Sequence, residues 1–251
     1  MYCDMPDLYG PQRNQLLAAL PRPERERIYP HLQLVSMPLG KIVCEPGDVL
    51  RYVYFPIDCI ISFLYLMKDG ASTEVAVVGN EGLVGVALFT GGEKSRSRAV
   101  VQSAGGAYRM LGKRFKDEFH QDGEMQALLL RYTQALLTQI AQTAACNRHH
   151  TLDQQLCRSL LVYLDRLPTN QLKMTQELLS NMLGVRREGV NSAAARLQSL
   201  GAIRYSRGQI TVLDRSKLED ECCECYAAVK KETDRLVPQV PVERQLCASH
   251  Y

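Results

Sequence analysis

The chain has 251 residues, 46% of them hydrophobic and 23% charged, with a net charge of +3. These are the proportions of an ordinary globular protein of one or two domains, and they exclude disordered and collagen-like classes. No apolar run approaches the roughly 18 residues of a membrane span. The opening MYCDMPDLYG lacks the basic start and apolar centre of a signal peptide, so a cytoplasmic protein without a membrane partner is expected. Nine cysteines, an odd number at irregular spacing from Cys3 to Cys247, read as reduced thiols rather than a disulfide framework.

Residues 1–30 read as a helical arm: NQLLAAL, a proline-rich break, then PERERIYPHL. Over 31–121 the texture changes to short β-rich runs: HLQLVSM, KIVCE, YVYFPI, CIISFLYLM, STEVAVV, RAVVQ and AYRML. Turn signals such as PLG, EPGD, KDG and AGG separate them. Many short strands at close spacing predict an antiparallel barrel or sandwich.

Residues 122–148 turn helical. Met125, Leu129, Tyr132, Leu136 and Ile140 recur at steps of three or four and form one continuous stripe. As a helix the segment would span roughly 37 Å, too long for one small domain to cover. A second copy packed as a coiled coil would cover it, and the homodimer is the reading adopted. The other possible cover is the chain's own β domain. TLDQQLCRSLLVYLDRL then predicts a further helix, stopped by Pro168.

The charge distribution is uneven. Between residues 168 and 217 Lys and Arg outnumber Asp and Glu eight to three, a local net of +5 that leaves −2 for the rest. Such a block suggests an anionic polymer as partner. Within it, Thr175 caps a helix whose apolar face is Leu178, Leu179, Met182 and Leu183, and Gly184 ends it. A second helix follows over about 186–199. Val190, Ala193, Ala194, Leu197 and Leu200 share its inward side. Glu188, Ser192, Ala195 and Ser199 lie opposite, flanked by Arg187 and Asn191. Two short helices joined by a glycine turn predict a helix-turn-helix. AIRYSRGQITVL predicts a β-hairpin wing with Arg204 and Arg207 near its tip.

Arg186 and Arg187 are misplaced for an isolated helix, whose N-terminus carries partial positive charge. Duplex DNA reverses that sign. The local cost is a few tenths of a kcal/mol, whereas a bidentate arginine–guanine contact is worth roughly 1–3 kcal/mol.

The order β-roll, long helix, short helix, winged helix-turn-helix resembles the Crp/Fnr superfamily of bacterial transcription regulators along nearly the full length. MTQELLSNMLGVRREGVNSAAARLQSLGAIRYSRGQITVLDR carries the match, supported by EPGD at 45–48 and GLVGVALF at 82–89. The resemblance implies an α+β fold: an N-terminal antiparallel β-roll (a double-stranded, jelly-roll-like β-helix), a long dimerisation helix, and a winged helix-turn-helix over 149–217, with 218–251 as a C-terminal helix and tail. It implies a homodimer on a near-palindromic site in double-stranded DNA, and contact with RNA polymerase if the protein activates. The family's base-reading Arg-Glu pair falls on Arg187 and Glu188, and its next reading positions on Asn191 and Ser192. Many members have arginine where Ser192 stands. Members usually have serine at Arg186, which is therefore expected to meet phosphate. Thr175, Gln176, Arg204 and Arg207 complete the expected DNA contacts.

Members that bind cyclic AMP carry a Gly-Glu pair before an apolar Leu-Phe step, then an Arg-Ser or Arg-Thr pair. Here Val84-Gly85 precede Val86-Ala87-Leu88-Phe89, so the glutamate is missing. Arg96 and Arg98 do not align without a shift, and Ile140-Ala141 stand where polar groups would meet the base. Cyclic AMP is not expected as the effector. Lys94, Arg96 and Arg98 are read as a solvated hairpin loop.

ECCECYAAVKKETDRLV predicts a helix from Glu221, with Cys222 and Cys225 on one face. With Cys223 and Cys247 they could hold zinc, but small buried thiols are the preferred reading, and no metal or cofactor is assigned. An iron–sulfur centre near the N-terminus is rejected, since Cys3 stands alone there. Cys146, His149 and His150 occupy the junction before the DNA-binding domain with no second ligand set in view. No nucleophile elbow, phosphate loop or HExxH appears, so no enzyme is expected. Two other functions stay open: a small-molecule module whose winged helix binds protein, and a redox sensor acting through Cys146 and Cys157.

Overall fold

The computed structural model describes residues 10–92, 94–121, 123–167 and 169–238. Cys3, Pro168 and Cys247 lie outside them. Two short helices, α1 (Gln15–Ala19) and α2 (Arg22–Ile28), precede the roll. Asn14 accepts from the Leu17 amide to cap α1, and its own amide donates to the carbonyls of Pro56 and Gly82, pinning the arm to the sheet.

All seven expected roll strands form: β1 (Gln33–Met37), β2 (Ile42–Cys44), β3 (Tyr52–Pro56), β4 (Ile60–Leu66), β5 (Ser72–Val78), β6 (Arg98–Ser103) and β7 (Gly105–Leu111). They pair antiparallel in two sheets, ordered β1-β7-β3 and β2-β6-β4-β5. Alternation explains the packing. In β3, Val53 and Phe55 point inward while Tyr52 and Tyr54 are half-buried.

A short helix, α3 (Gly112–Phe119), leads to the long helix α4 (Glu124–His149). With 26 residues, α4 is about 39 Å long. Its first-turn amides at Glu124 and Met125 donate to the Glu24 carboxylate, because the N-cap, Gly123, has no side chain to offer.

The expected dimer stripe requires correction. Met125, Leu129 and Tyr132 are buried in the chain's own core with Leu16, Val53 and Phe115, and Leu136 packs against the roll. Tyr132 donates from its hydroxyl to the Leu83 carbonyl at 2.9 Å. Its ring lies where a Cβ on Gly82 would stand, so only glycine permits this approach. One turn later, Gln139 accepts from the Val77 amide. Ile140 is half-buried. The stripe is covered by the β domain, the alternative that the periodicity left open. The exposed leucines of α4 are Leu130 and Leu137, 53% and 55% accessible, on the opposite side.

Helix α5 (Leu152–Leu164) follows, opened by a capping box between Thr151 and Gln154. Then come β8 (Gln171–Lys173), α6 (Gln176–Leu183), α7 (Arg187–Ser199), β9 (Ile203–Ser206), β10 (Gln209–Val212), α8 (Arg215–Asp220) and α9 (Glu224–Leu236). Strand β8 was not expected; it completes a three-stranded sheet, β8-β10-β9. The last helix also differs from expectation. It starts at Glu224, with Cys223 as N-cap and Cys222 outside it, so Cys222 and Cys225 do not share a helical face. From there α9 runs back along α4 until Leu236 and Val237 join the core beneath the roll. Among the described residues no helix is long and apolar enough to cross a membrane.

Candidate nucleic-acid interface

Thr175 caps α6 by accepting from the Leu178 amide at 3.1 Å. Gly184 ends the helix at φ +66°, a conformation glycine adopts without steric penalty. The chain turns through Val185 and re-enters a helix at Arg187. Arg186 occupies the N-cap and makes no capping hydrogen bond.

The inner side of α7 is apolar. Val190, Ala193, Ala194 and Leu197 are all at most 1% exposed and pack against α5, α6 and the wing sheet. Leu200, expected on this side, is 38% exposed: the helix ends at Ser199, and Leu200 as C-cap leaves the inward stripe. The outer side carries exposed Arg186, Arg187, Glu188, Asn191, Ser192 and Ala195. Ser192 donates to the Glu188 carbonyl, which tucks its side chain against the helix and keeps the outer surface low.

In the wing, the turn between β9 and β10 consists of Arg207 at φ +50° and Gly208 at φ +74°. Two successive positive φ values match a two-residue type I′ turn, whose twist suits a tight hairpin. Arg204 and Arg207 are exposed near the tip. Thr175 and Gln176 are also exposed, at the start of α6.

Half of the basic block is neutralised within the chain. Arg196 pairs with Asp153 and Glu221, Arg215 with Asp165 and Glu219, and Lys217 with Asp214. Arg187 meets Glu177 at 3.1 Å, but both side chains are more than half exposed. Such a pair holds about 0–1 kcal/mol, less than a base contact would supply, so Arg187 is free to exchange partners. Arg186, Arg204, Arg207 and Lys173 make no ion pair among the described residues. Lys173 was missed in the sequence because β8 was; it stands opposite Gln209 in the wing sheet. A strand of three residues is too short to show a period. Unpaired cations thus border an outer helix face of small and polar side chains, a surface suited to a phosphate backbone and groove.

In the roll, Arg98 is committed to Glu45 through a two-pronged pair at 2.9 and 3.1 Å, and Arg96 is exposed. Cys157 is fully buried in the winged domain, and Cys146 is fully buried at the junction. Burial pushes both thiols up to about 12, which suppresses the thiolate that oxidation needs and counts against the redox reading. Cys146 and His150, at the end of α4, meet Cys223 and Cys225, at the start of α9. The second ligand set that the sequence did not reveal is thus supplied by a distant helix, whereas His149 is exposed.

Residues 154–221 match the Crp-like helix-turn-helix domain. No curated protein matches the chain in sequence. Similar solved structures include FixK2 from Bradyrhizobium japonicum, 16% identical over 76% of this chain and 98% of that one, with a TM-score of 0.64. The c-di-GMP-responsive global regulator CLP of Xanthomonas campestris is 18% identical over 76% of this chain and 99% of its own, with a TM-score of 0.60. A Crp/Fnr-family transcriptional regulator from Thermus thermophilus is 20% identical over 75% and 97%, also at 0.60. At these identities the likeness is one of fold.

Proposed function

We propose that this chain, which has the Crp/Fnr regulator fold and a Crp-like helix-turn-helix domain, is a sequence-specific DNA-binding transcription regulator that acts as a homodimer in the cytoplasm. The observation that carries the reading is the two-sidedness of α7. Its inner side is a closed apolar core, and its outer side is small, polar and bordered by Arg186, Arg187, Arg204, Arg207 and Lys173. Arg187 and Asn191 are the candidates for base edges, with Glu188 and Ser192 beside them. Arg186, Thr175, Gln176 and the wing arginines are the candidates for phosphate.

The homodimer is assigned to the outward side of α4, where Leu130 and Leu137 are exposed and Ala141 and Ala144 lie on the same line. Two copies joined there would present their α7 helices to successive major grooves about 34 Å apart. The roll is proposed as a degenerate sensor. It lacks the glutamate of the cyclic-AMP binders, and Arg98 is already held by Glu45.

Selection of bound fragments from a random duplex pool tests the reading. The expected result is enrichment of a near-palindrome whose half-sites lie about one helical turn apart. No enrichment at low salt would overturn it.

A further inference from the structure

The junction between the long helix and the DNA-binding domain holds a cluster that the DNA-binding reading leaves unused. Cys146 and His150 lie four residues apart on the last turn of α4, so both face the same way. Cys223 is the N-cap of α9, and Cys225 lies in its first turn. The three Sγ atoms and a ring nitrogen of His150 all fall within 4.8 Å of one another. The Cys146 and Cys223 sulfurs are 3.6 Å apart, and the Cys225 sulfur is 3.5 Å from His150 Nδ1.

Those separations match one metal ion. A tetrahedral zinc with bonds of about 2.3 Å to sulfur and 2.0–2.1 Å to nitrogen has edges of roughly 3.5–3.8 Å between donors. They are too long for a disulfide, whose sulfurs stand about 2.05 Å apart. They are also too short for a cluster of several irons, whose ligands cannot all crowd around one centre. We propose that Cys146, His150, Cys223 and Cys225 form a mononuclear zinc site, with three thiolates and His150 Nδ1 as ligands, that fastens α9 to the end of α4.

The surroundings fit this chemistry. The other ring nitrogen of His150, Nε2, lies 3.3 Å from the Glu224 carboxylate, the arrangement that orients a metal-bound histidine and sets its tautomer. Gln142 donates to the Cys225 sulfur at 3.0 Å. The start of α9 brings partial positive charge to the thiolates, and the end of α4 brings partial negative charge to the cation. All three cysteines are at most 5% exposed, so water is largely excluded. Binding releases three thiol protons and leaves one net negative charge. Arg158, buried with an unpartnered Nε, acts electrostatically on Cys146 and supplies the opposite charge. Cys222 lies beside the four and is not one of them.

The proposal stands apart from the DNA-binding reading, because metal is counted without DNA. Full-length protein produced with zinc and purified under reducing conditions is expected to hold one zinc per chain. Cobalt(II) titrated into the stripped full-length protein is expected to give the visible bands of a tetrahedral site and strong thiolate-to-cobalt charge transfer. Cys223→Ser should lose stoichiometric zinc and weaken the charge transfer, while Cys222→Ser should keep both. Should Cys223→Ser fail to fold, the cobalt spectrum of the unaltered protein still decides. Only trace metal together with a featureless cobalt titration would overturn the proposal. So would equal losses in the two variants, or an iron–sulfur chromophore in the protein as isolated.

Discussion

Helices α7 and α9 both start on a residue whose side chain makes no capping hydrogen bond, Arg186 in one and Cys223 in the other. Helices α5, α6 and α8 are capped in the ordinary way by Thr151, Thr175 and Asp214. An uncapped start leaves amide donors and partial positive charge without a local partner. At α9 the remedy is internal: the start is buried, and the groups gathered around it become anionic when they bind a cation. At α7 the start is exposed and its neighbours include two arginines, so compensating negative charge has to come from outside the protein. The same local irregularity therefore points inward to a metal in one place and outward to a polyanion in the other. Exposure decides which.

The largest expected effect separates the two sides of α7. Leu197→Ala removes a fully buried side chain and should cost about 2–5 kcal/mol of stability, read by denaturant unfolding. The base preference of the folded fraction should be unchanged; an altered preference would mean that the inner side also reads DNA. Arg187→Ala should do the reverse, leaving stability nearly intact and costing roughly 1–3 kcal/mol of DNA affinity at one base position per half-site. Equal weakening on every sequence would assign Arg187 to phosphate alone.

Glu74 offers an intermediate case, a half-buried charge between roll and winged domain. It accepts hydrogen bonds from the Ser62 and Tyr163 hydroxyls, yet desolvation raises its pKa from 4.5 to about 7. The folded carboxyl keeps its proton to higher pH than the unfolded one, so this contribution to stability is intact below pH 4.5 and is lost as pH rises through 7. After allowance for partial exposure the loss is about 1–2 kcal/mol. Glu74→Gln should flatten that part of the stability–pH profile, and parallel profiles for the two proteins would refute the assignment. The smallest effect is expected at the wing. Arg204→Ala should weaken binding to all sequences alike and reduce the magnitude of the log–log salt slope by about 1. A sequence-dependent loss would move Arg204 into the groove.

Much of this was legible in the chain before folding. The seven roll strands announced themselves by alternation and turn residues, and the inner side of α7 by its 3.6-residue period. Three features were not legible, each for a physical reason. Strand β8 is too short for a period. The stripe from Met125 to Tyr132 reveals that something covers it, but periodicity does not say whether the cover is a second copy or the chain's own sheet. The ligand cluster joins Cys146 to Cys223 across 77 residues, and only tertiary packing brings such partners together. The early start expected for α9 concealed it further, by placing Cys222 rather than Cys223 on the helix face with Cys225.

The central claim, that the outward side of α7 and the wing engage duplex DNA, is tested most directly by measuring affinity for a selected duplex against salt concentration. A dimer neutralising about eight phosphates should give a log–log slope near −7, and Arg186→Ala should make it shallower. A slope near zero, unchanged by Arg186→Ala, would contradict the account.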